Sequence, residues 1–254
     1  MTLTDVGSGP HTNENSWIPG PLVGGIALIS APILLFAGGL LRFLAVELNP
    51  EVVAPYADHW TFFPSQLALY QNHPALQYHG YALYLVGLVC LWPAVLALAR
   101  LIAPKSPKLA LWGAIALVFA LFGRAIWVGA ELLAFQLVDI HGTASAIKTI
   151  EASYADISYG FYRFPVAIGL ASFPGWILLG IGAYRSNVTG LMGALILAFG
   201  PWLAPGVLKE IHILGTVASA VSCFVFVPLG VRMLRGSLRP AGPSGVERPE
   251  PARH

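Results

Sequence analysis

The stretch "LALWGAIALVFALFGRAIWVGAE", Leu109 to Glu131, decides the fold. Its first 15 residues carry no charge and no strong hydrogen-bonding side chain. A helix crossing a hydrocarbon layer of about 30 Å needs about 20 such apolar residues. Comparable apolar runs recur at about 21–44, 78–102, 109–137, 163–184, 188–207 and 211–234. The rest of the 254-residue chain agrees: 56% of it is hydrophobic and only 10% charged, against about 25% charged in soluble domains. The mean hydropathy of +0.71 points the same way. The sequence therefore predicts an all-α membrane protein, a six-helix transmembrane bundle.

The boundaries follow from where this composition changes. Residues 1–20 have neither a basic segment nor an apolar core of the kind that marks a cleavable signal. They read as a cytoplasmic N-terminal segment, 21–235 as the six-helix domain, and 236–254 as a disordered cytoplasmic tail rich in Pro, Gly and charge. The two cysteines, Cys90 and Cys223, fall inside predicted spans without partners at metal-site or disulfide spacing, and read as core residues.

Basic residues orient the bundle. Arg100, Lys105 and Lys108 flank the second connection, Arg185 follows the fourth helix, and Arg232, Arg235, Arg239 and Arg248 follow the sixth. The positive-inside rule puts all of these in the cytoplasm. Both termini are then cytoplasmic, the protein sits in the cell membrane, and the loops at about 45–77 and 138–162 face outward. Arg42 and Arg163 are exceptions, stranded on the outer side. The first outer loop is aromatic, with Trp60, Phe62, Phe63, Tyr70 and Tyr78, residues that favour the headgroup region. The second places Ala144, Ile147, Ile150, Tyr154 and Ile157 at helical spacing, which predicts a short amphipathic helix on the outer surface. Together these two partly ordered outer loops form caps that could cover a cavity or simply anchor the bundle at the interface.

Within the spans, Pro32, Pro93, Pro174, Pro201, Pro205 and Pro228 each remove a backbone donor and can bend a helix. A repeat of Ile-x-Leu-x-Ser-x-Pro, at Ile26–Pro32 and Ile168–Pro174, matches the inverted-repeat pattern of many transporters. Four matching residues are also readily met by chance among apolar segments.

Arg124 and Glu131 are the residues that ask for an explanation. If the third helix enters from the cytoplasm after Lys108, Arg124 lies about 22 Å along it, short of the far boundary, and Glu131 about 10 Å further. Seven residues apart, they share a face, and both side chains lean back toward the helix N-terminus, which carries Arg124 away from the nearer water. A charged arginine at that depth costs about 2.5 to 3.5 kcal/mol on insertion scales, so it must face protein or a polar cavity. Two turns is long for a direct Arg124–Glu131 contact. Each therefore needs partners from other helices.

Candidates at the same level are His79, Tyr81 and Tyr84 on the second helix, Arg163 on the fourth, and Glu210 and His212 on the sixth. One reading is a pocket in the outer half of the bundle. In it Glu131, His79 and His212 move protons, while Arg124, Arg163, Tyr81, Tyr84 and Glu210 bind a hydrophobic or amphipathic substrate through a carboxylate or phosphate. As an enzyme it would be a cofactor-independent isomerase or cyclase of a lipid-like molecule. A small-molecule transporter or export-resistance protein is an alternative, and a structural subunit whose charges only lock helices together is another.

Histidine leaves room for a haem between His79 and His212, or a divalent metal among His59, His73 and His141, but neither set has a ligand spacing of its own. No phosphate-binding loop, nucleophile elbow or Cys-x-x-Cys occurs. The expected partners are membrane lipids and a hydrophobic ligand, with no cofactor and no nucleic acid.

Overall fold

Three prolines open three of the long helices. Pro21, Pro74 and Pro107 each occupy a first helical turn, where a missing N–H has no carbonyl to serve and the fixed φ is already helical. The computed structural model describes residues 19–58, 63–155, 168–203 and 212–237, the side chains of 153–155, 200–203 and 212 excepted. The helices are α1 (Pro21–Glu47), α2 (Pro50–Val53), α3 (Phe63–Asn72), α4 (Pro74–Ile102), α5 (Pro107–His141), α6 (Thr143–Ala155), α7 (Ser172–Arg185), α8 (Leu191–Leu203) and α9 (His212–Leu234), with a 3₁₀ turn at Ala54–Tyr56. Among the described residues there is no strand. This is an all-α membrane protein.

Four helices have the length and apolarity to cross a membrane by themselves: α1, α4, α5 and α9. Between 39% and 44% of each span's most apolar window is buried in protein, which leaves the rest of that apolar surface open to lipid. Trp112, Phe119 and Phe224 are among the exposed side chains, an arrangement that water would penalise. The described parts of the fourth and fifth apolar runs form α7 and α8, of 14 and 13 residues, about 20 Å each. The count of six complete spans is therefore not reached within the described residues.

The packing order closes into a ring: α1 lies between α4 and α9, α4 meets α5, α5 meets α7, α7 meets α8, and α8 meets α9. Small residues let neighbouring backbones touch, the usual device where lipid offers no hydrophobic drive. At the α1–α4 crossing, a methyl on Gly38 would stand 2.6 Å from the Gly80 carbonyl oxygen and 2.8 Å from the Tyr84 nitrogen. At the α1–α9 crossing, a methyl on Gly230 would stand 2.6 Å from the Gly25 carbonyl oxygen. Gly39 meets Thr216 further along the same pair, so α1 runs antiparallel to α9 as well as to α4.

Prolines act differently by position. Pro32, Pro93 and Pro228 lie inside their helices, whereas Pro174 sits in the first turn of α7 and removes no bond there.

Over one end of the ring lie α2, the 3₁₀ turn, α3 and α6, all from the two aromatic and amphipathic loops. α3 is a helix where the sequence pattern marked only aromatic anchoring. Its residues Phe63 to Leu69 are all buried, because it packs against α4, α5 and α6 together. α6 buries Thr143, Ala146 and Ile150, with Ile147 half-buried, while Ala144 faces outward. Its inner face is thus turned slightly from the one that the apolar spacing outlines. Gly142, with φ of 77°, ends α5 and releases the chain into α6.

Candidate functional site

The Gly38–Gly80 crossing sets up the site. Four residues after Gly38, Arg42 points toward α4, and Tyr81 and Tyr84 come one and four residues after Gly80. The Arg42 guanidinium carbon lies 4.3 Å from the Tyr81 ring centre and 5.9 Å from that of Tyr84, within cation–π range of both. From the other side, α5 delivers Arg124, whose Nε donates to the Tyr84 hydroxyl at 3.1 Å and whose guanidinium carbon is 5.3 Å from the same ring's centre. Tyr81 and Tyr84 are buried, and both arginines are half-buried.

Glu131 is 2% exposed. Its Oε1 accepts a hydrogen bond from the Trp127 indole at 2.7 Å. Trp127 precedes it by one turn, and the backward lean of helical side chains brings the two together. The charges of Arg42, Glu131 and Arg124 all bear on Tyr81. Among the described residues, the Tyr81 hydroxyl, with the residue at 0% exposure, meets no hydrogen-bond partner, and neither does Arg42 Nε. Gln77, one turn before Tyr81 on the same face, is also buried.

An aromatic stack joins this cluster to the cap. Phe135 stands edge-on to Tyr81 at 5.1 Å and is stacked on Tyr70 of α3 at 4.4 Å. The Tyr70 hydroxyl donates to Asp139 at 2.8 Å. Burial and this hydrogen bond to a carboxylate hold the Tyr70 phenol above its usual pKa. The cap is tied down at two further points, by Thr143 donating to Gln71 and by His73 Nε2 to Asn49 Oδ1 at 2.6 Å. An open pocket of about 570 Å³ lies outside the cluster, between Glu51, Tyr56, Gln71, Asn72, His141 and Thr143. None of the buried charged residues lines it.

Of the residues singled out by sequence, Arg124, Glu131, Tyr81 and Tyr84 stand together. His79 does not join them. It is exposed on another face of α4, with Nδ1 on the Ala75 carbonyl at 2.6 Å and its ring edge-on to Tyr78. Arg163 and Glu210 lie outside the described residues, as do the His212 side chain and, from the proposed metal set, His59. α9 nevertheless begins at His212 near this level, since its Thr216 meets Gly39. Among the described residues no three His, Cys, Asp or Glu side chains come together at metal-binding range.

Arg42 and Trp127 are the members that sequence reasoning passed over. Arg42 was visible as a basic residue on the wrong side for the positive-inside rule. Trp127 was visible as the i−4 neighbour of Glu131. No protein-family model, curated protein or solved structure matches this chain, so its chemistry must be read from the cluster itself.

Proposed function

We propose that this is a polytopic protein of the cell membrane that binds a hydrophobic or amphipathic small molecule in the outer half of its bundle. The observation that carries this reading is the pair of guanidinium groups, Arg42 and Arg124, held against the Tyr81 and Tyr84 rings beside the buried Glu131. Charged groups at membrane depth are expensive and rare, and they mark substrate or proton pathways. In this reading the apolar runs 163–184 and 188–207 complete a six-span bundle with both termini in the cytoplasm. Support for the orientation comes from Arg100, Lys105, Arg185 and Arg232, which gather at the end opposite the cap.

Where the protein converts its ligand, Glu131 is the acid or base of an isomerisation or cyclisation. Trp127 steadies its carboxylate, Tyr81 is the neighbouring hydroxyl, and Arg124 anchors the polar end of the ligand.

The test begins with the full-length protein purified in mild detergent and the lipid-soluble molecules extracted from it. A single compound should co-purify with wild type, be depleted in Arg124→Leu, and remain bound but unconverted in Glu131→Gln. Wild-type levels of bound compound in a folded Arg124→Leu variant would refute the reading.

A further inference from the structure

We infer that the polar end of the ligand is an anion, a carboxylate or phosphate, received between Arg42 and Arg124 with the Tyr81 hydroxyl as a third donor. This rests on the ligand-binding role proposed above and sharpens it. Among the described residues, two donors of the site, Arg42 Nε and the Tyr81 hydroxyl, meet no partner, and one acceptor, Gln77 Oε1, meets none either. A guanidinium has five N–H donors and accepts nothing. Arg42 lies against the faces of Tyr81 and Tyr84, and its Nε meets no acceptor among the described residues. The Tyr81 hydroxyl is fully buried and likewise meets none among those residues. Arg124 gives its Nε–H to the oxygen of Tyr84, so the proton of that hydroxyl is directed elsewhere.

A buried donor without an acceptor is destabilising. Two cations sharing the Tyr84 ring also repel one another, and the surrounding apolar medium strengthens that repulsion. Among the described residues, Glu131 supplies one negative charge to this neighbourhood against two positive ones. A carboxylate or phosphate answers both deficits, because it is acceptor-only and pairs with planar guanidinium groups in fixed geometry. Both arginines are half-buried. The lipid-facing apolar surface of the spans suits a tail attached to it.

Four probes discriminate the possibilities with the full-length protein in micelles: palmitate, a lysophosphatidate of the same chain length, the matching uncharged monoacylglycerol, and inorganic phosphate. Binding is read by calorimetry and by tryptophan fluorescence, since Trp127 touches Glu131. Palmitate or lysophosphatidate should bind at least about 10-fold more tightly than monoacylglycerol, and whichever is tighter identifies the anion as carboxylate or phosphate. Arg42→Gln should weaken the anionic probe about 10- to 100-fold and leave monoacylglycerol unchanged, with Arg42→Lys between them and Tyr81→Phe losing about 3- to 10-fold. Inorganic phosphate binding as tightly as the lipids would support the anion site while removing the amphipathic ligand. Monoacylglycerol binding as tightly as the anions would overturn the inference and leave the ligand-binding role intact. So would an unchanged affinity in Arg42→Gln with a wild-type thermal midpoint. If the folded protein binds none of the four, the inference fails.

Discussion

Arg42 of α1 lies over the face of Tyr81 of α4, with 4.3 Å between the guanidinium carbon and the ring centre. The contact exists because two glycines let the helices touch one turn away. It converts an arginine stranded in an apolar span into part of a shared cluster with Arg124, and its strength can be measured. A double-mutant cycle with Arg42→Gln and Tyr81→Leu, scored by thermal or denaturant unfolding in detergent, should give a coupling of about 0.5 to 2 kcal/mol. Additivity within about 0.3 kcal/mol would mean that the two groups are neighbours without attraction.

The α1–α4 crossing itself should tolerate no side chain at Gly38. A methyl there meets backbone atoms at 2.6 and 2.8 Å, and backbone cannot move aside as a side-chain tip can. Gly38→Ala should destabilise by about 1 to 3 kcal/mol, as overpacking does elsewhere, and should weaken the Arg42–Tyr81 contact with it. Gly129→Ala is the control, because a methyl at Gly129 meets nothing within 4 Å. In mid-helix that change should be neutral or stabilising by up to about 1 kcal/mol. Equal thermal midpoints for the two variants would contradict the crossing.

The parts of this architecture that were legible in the sequence are those governed by composition and period. Six apolar runs outline α1, α4, α5, α7, α8 and α9. Depth along the third apolar run singled out Arg124, and the demand for a partner from another helix is met by Tyr84. Arg42 escaped because its role depends on which helices cross, and crossing is set by Gly38 and Gly80, whose spacing alone names no partner. His79 shared the right level but not the right face. Level comes from counting residues, while face depends on the rotation of α4, which Gly80, Tyr81 and Tyr84 set by packing inward. α3 was missed because its buried run is short and its apolar pattern is broken by Ser65 and Gln66, both nonetheless buried.

The cap should loosen at alkaline pH through Tyr70. Its phenol is held protonated by burial and by donating to Asp139. The folded-state pKa is therefore raised above the unfolded value of about 10. Stability from this bond is fully present below that unfolded value and is lost as pH rises through the folded one. Tyr70→Phe keeps the stack on Phe135 and removes the bond, so wild type should be slightly more stable than the variant at pH 8 and should lose that advantage above about pH 10. Because the bond is solvent-exposed, the difference at pH 8 should be no more than about 1 kcal/mol. Unfolding curves of the two proteins across pH 8 to 11 check this, and a pH-independent difference would place the effect in packing alone.

Trp127 and Glu131 give the sharpest separation between a site and a brace. The indole N–H reaches Glu131 Oε1 at 2.7 Å within a buried environment. Trp127→Phe removes this donor from a carboxyl that is 2% exposed, and should destabilise by about 1 to 3 kcal/mol. Glu131→Gln keeps an acceptor oxygen for the indole and removes the titratable group, so its stability should stay within about 1 kcal/mol of wild type. If Glu131 serves proton transfer, Glu131→Gln abolishes conversion of the bound compound while the protein remains folded and loaded. A brace behaves in the opposite way: Glu131→Gln would keep full function, and every variant that lost function would lose stability in proportion. Measuring thermal midpoint and bound-compound turnover on the same preparations of both variants separates the two outcomes, because only a site lets activity fall without stability.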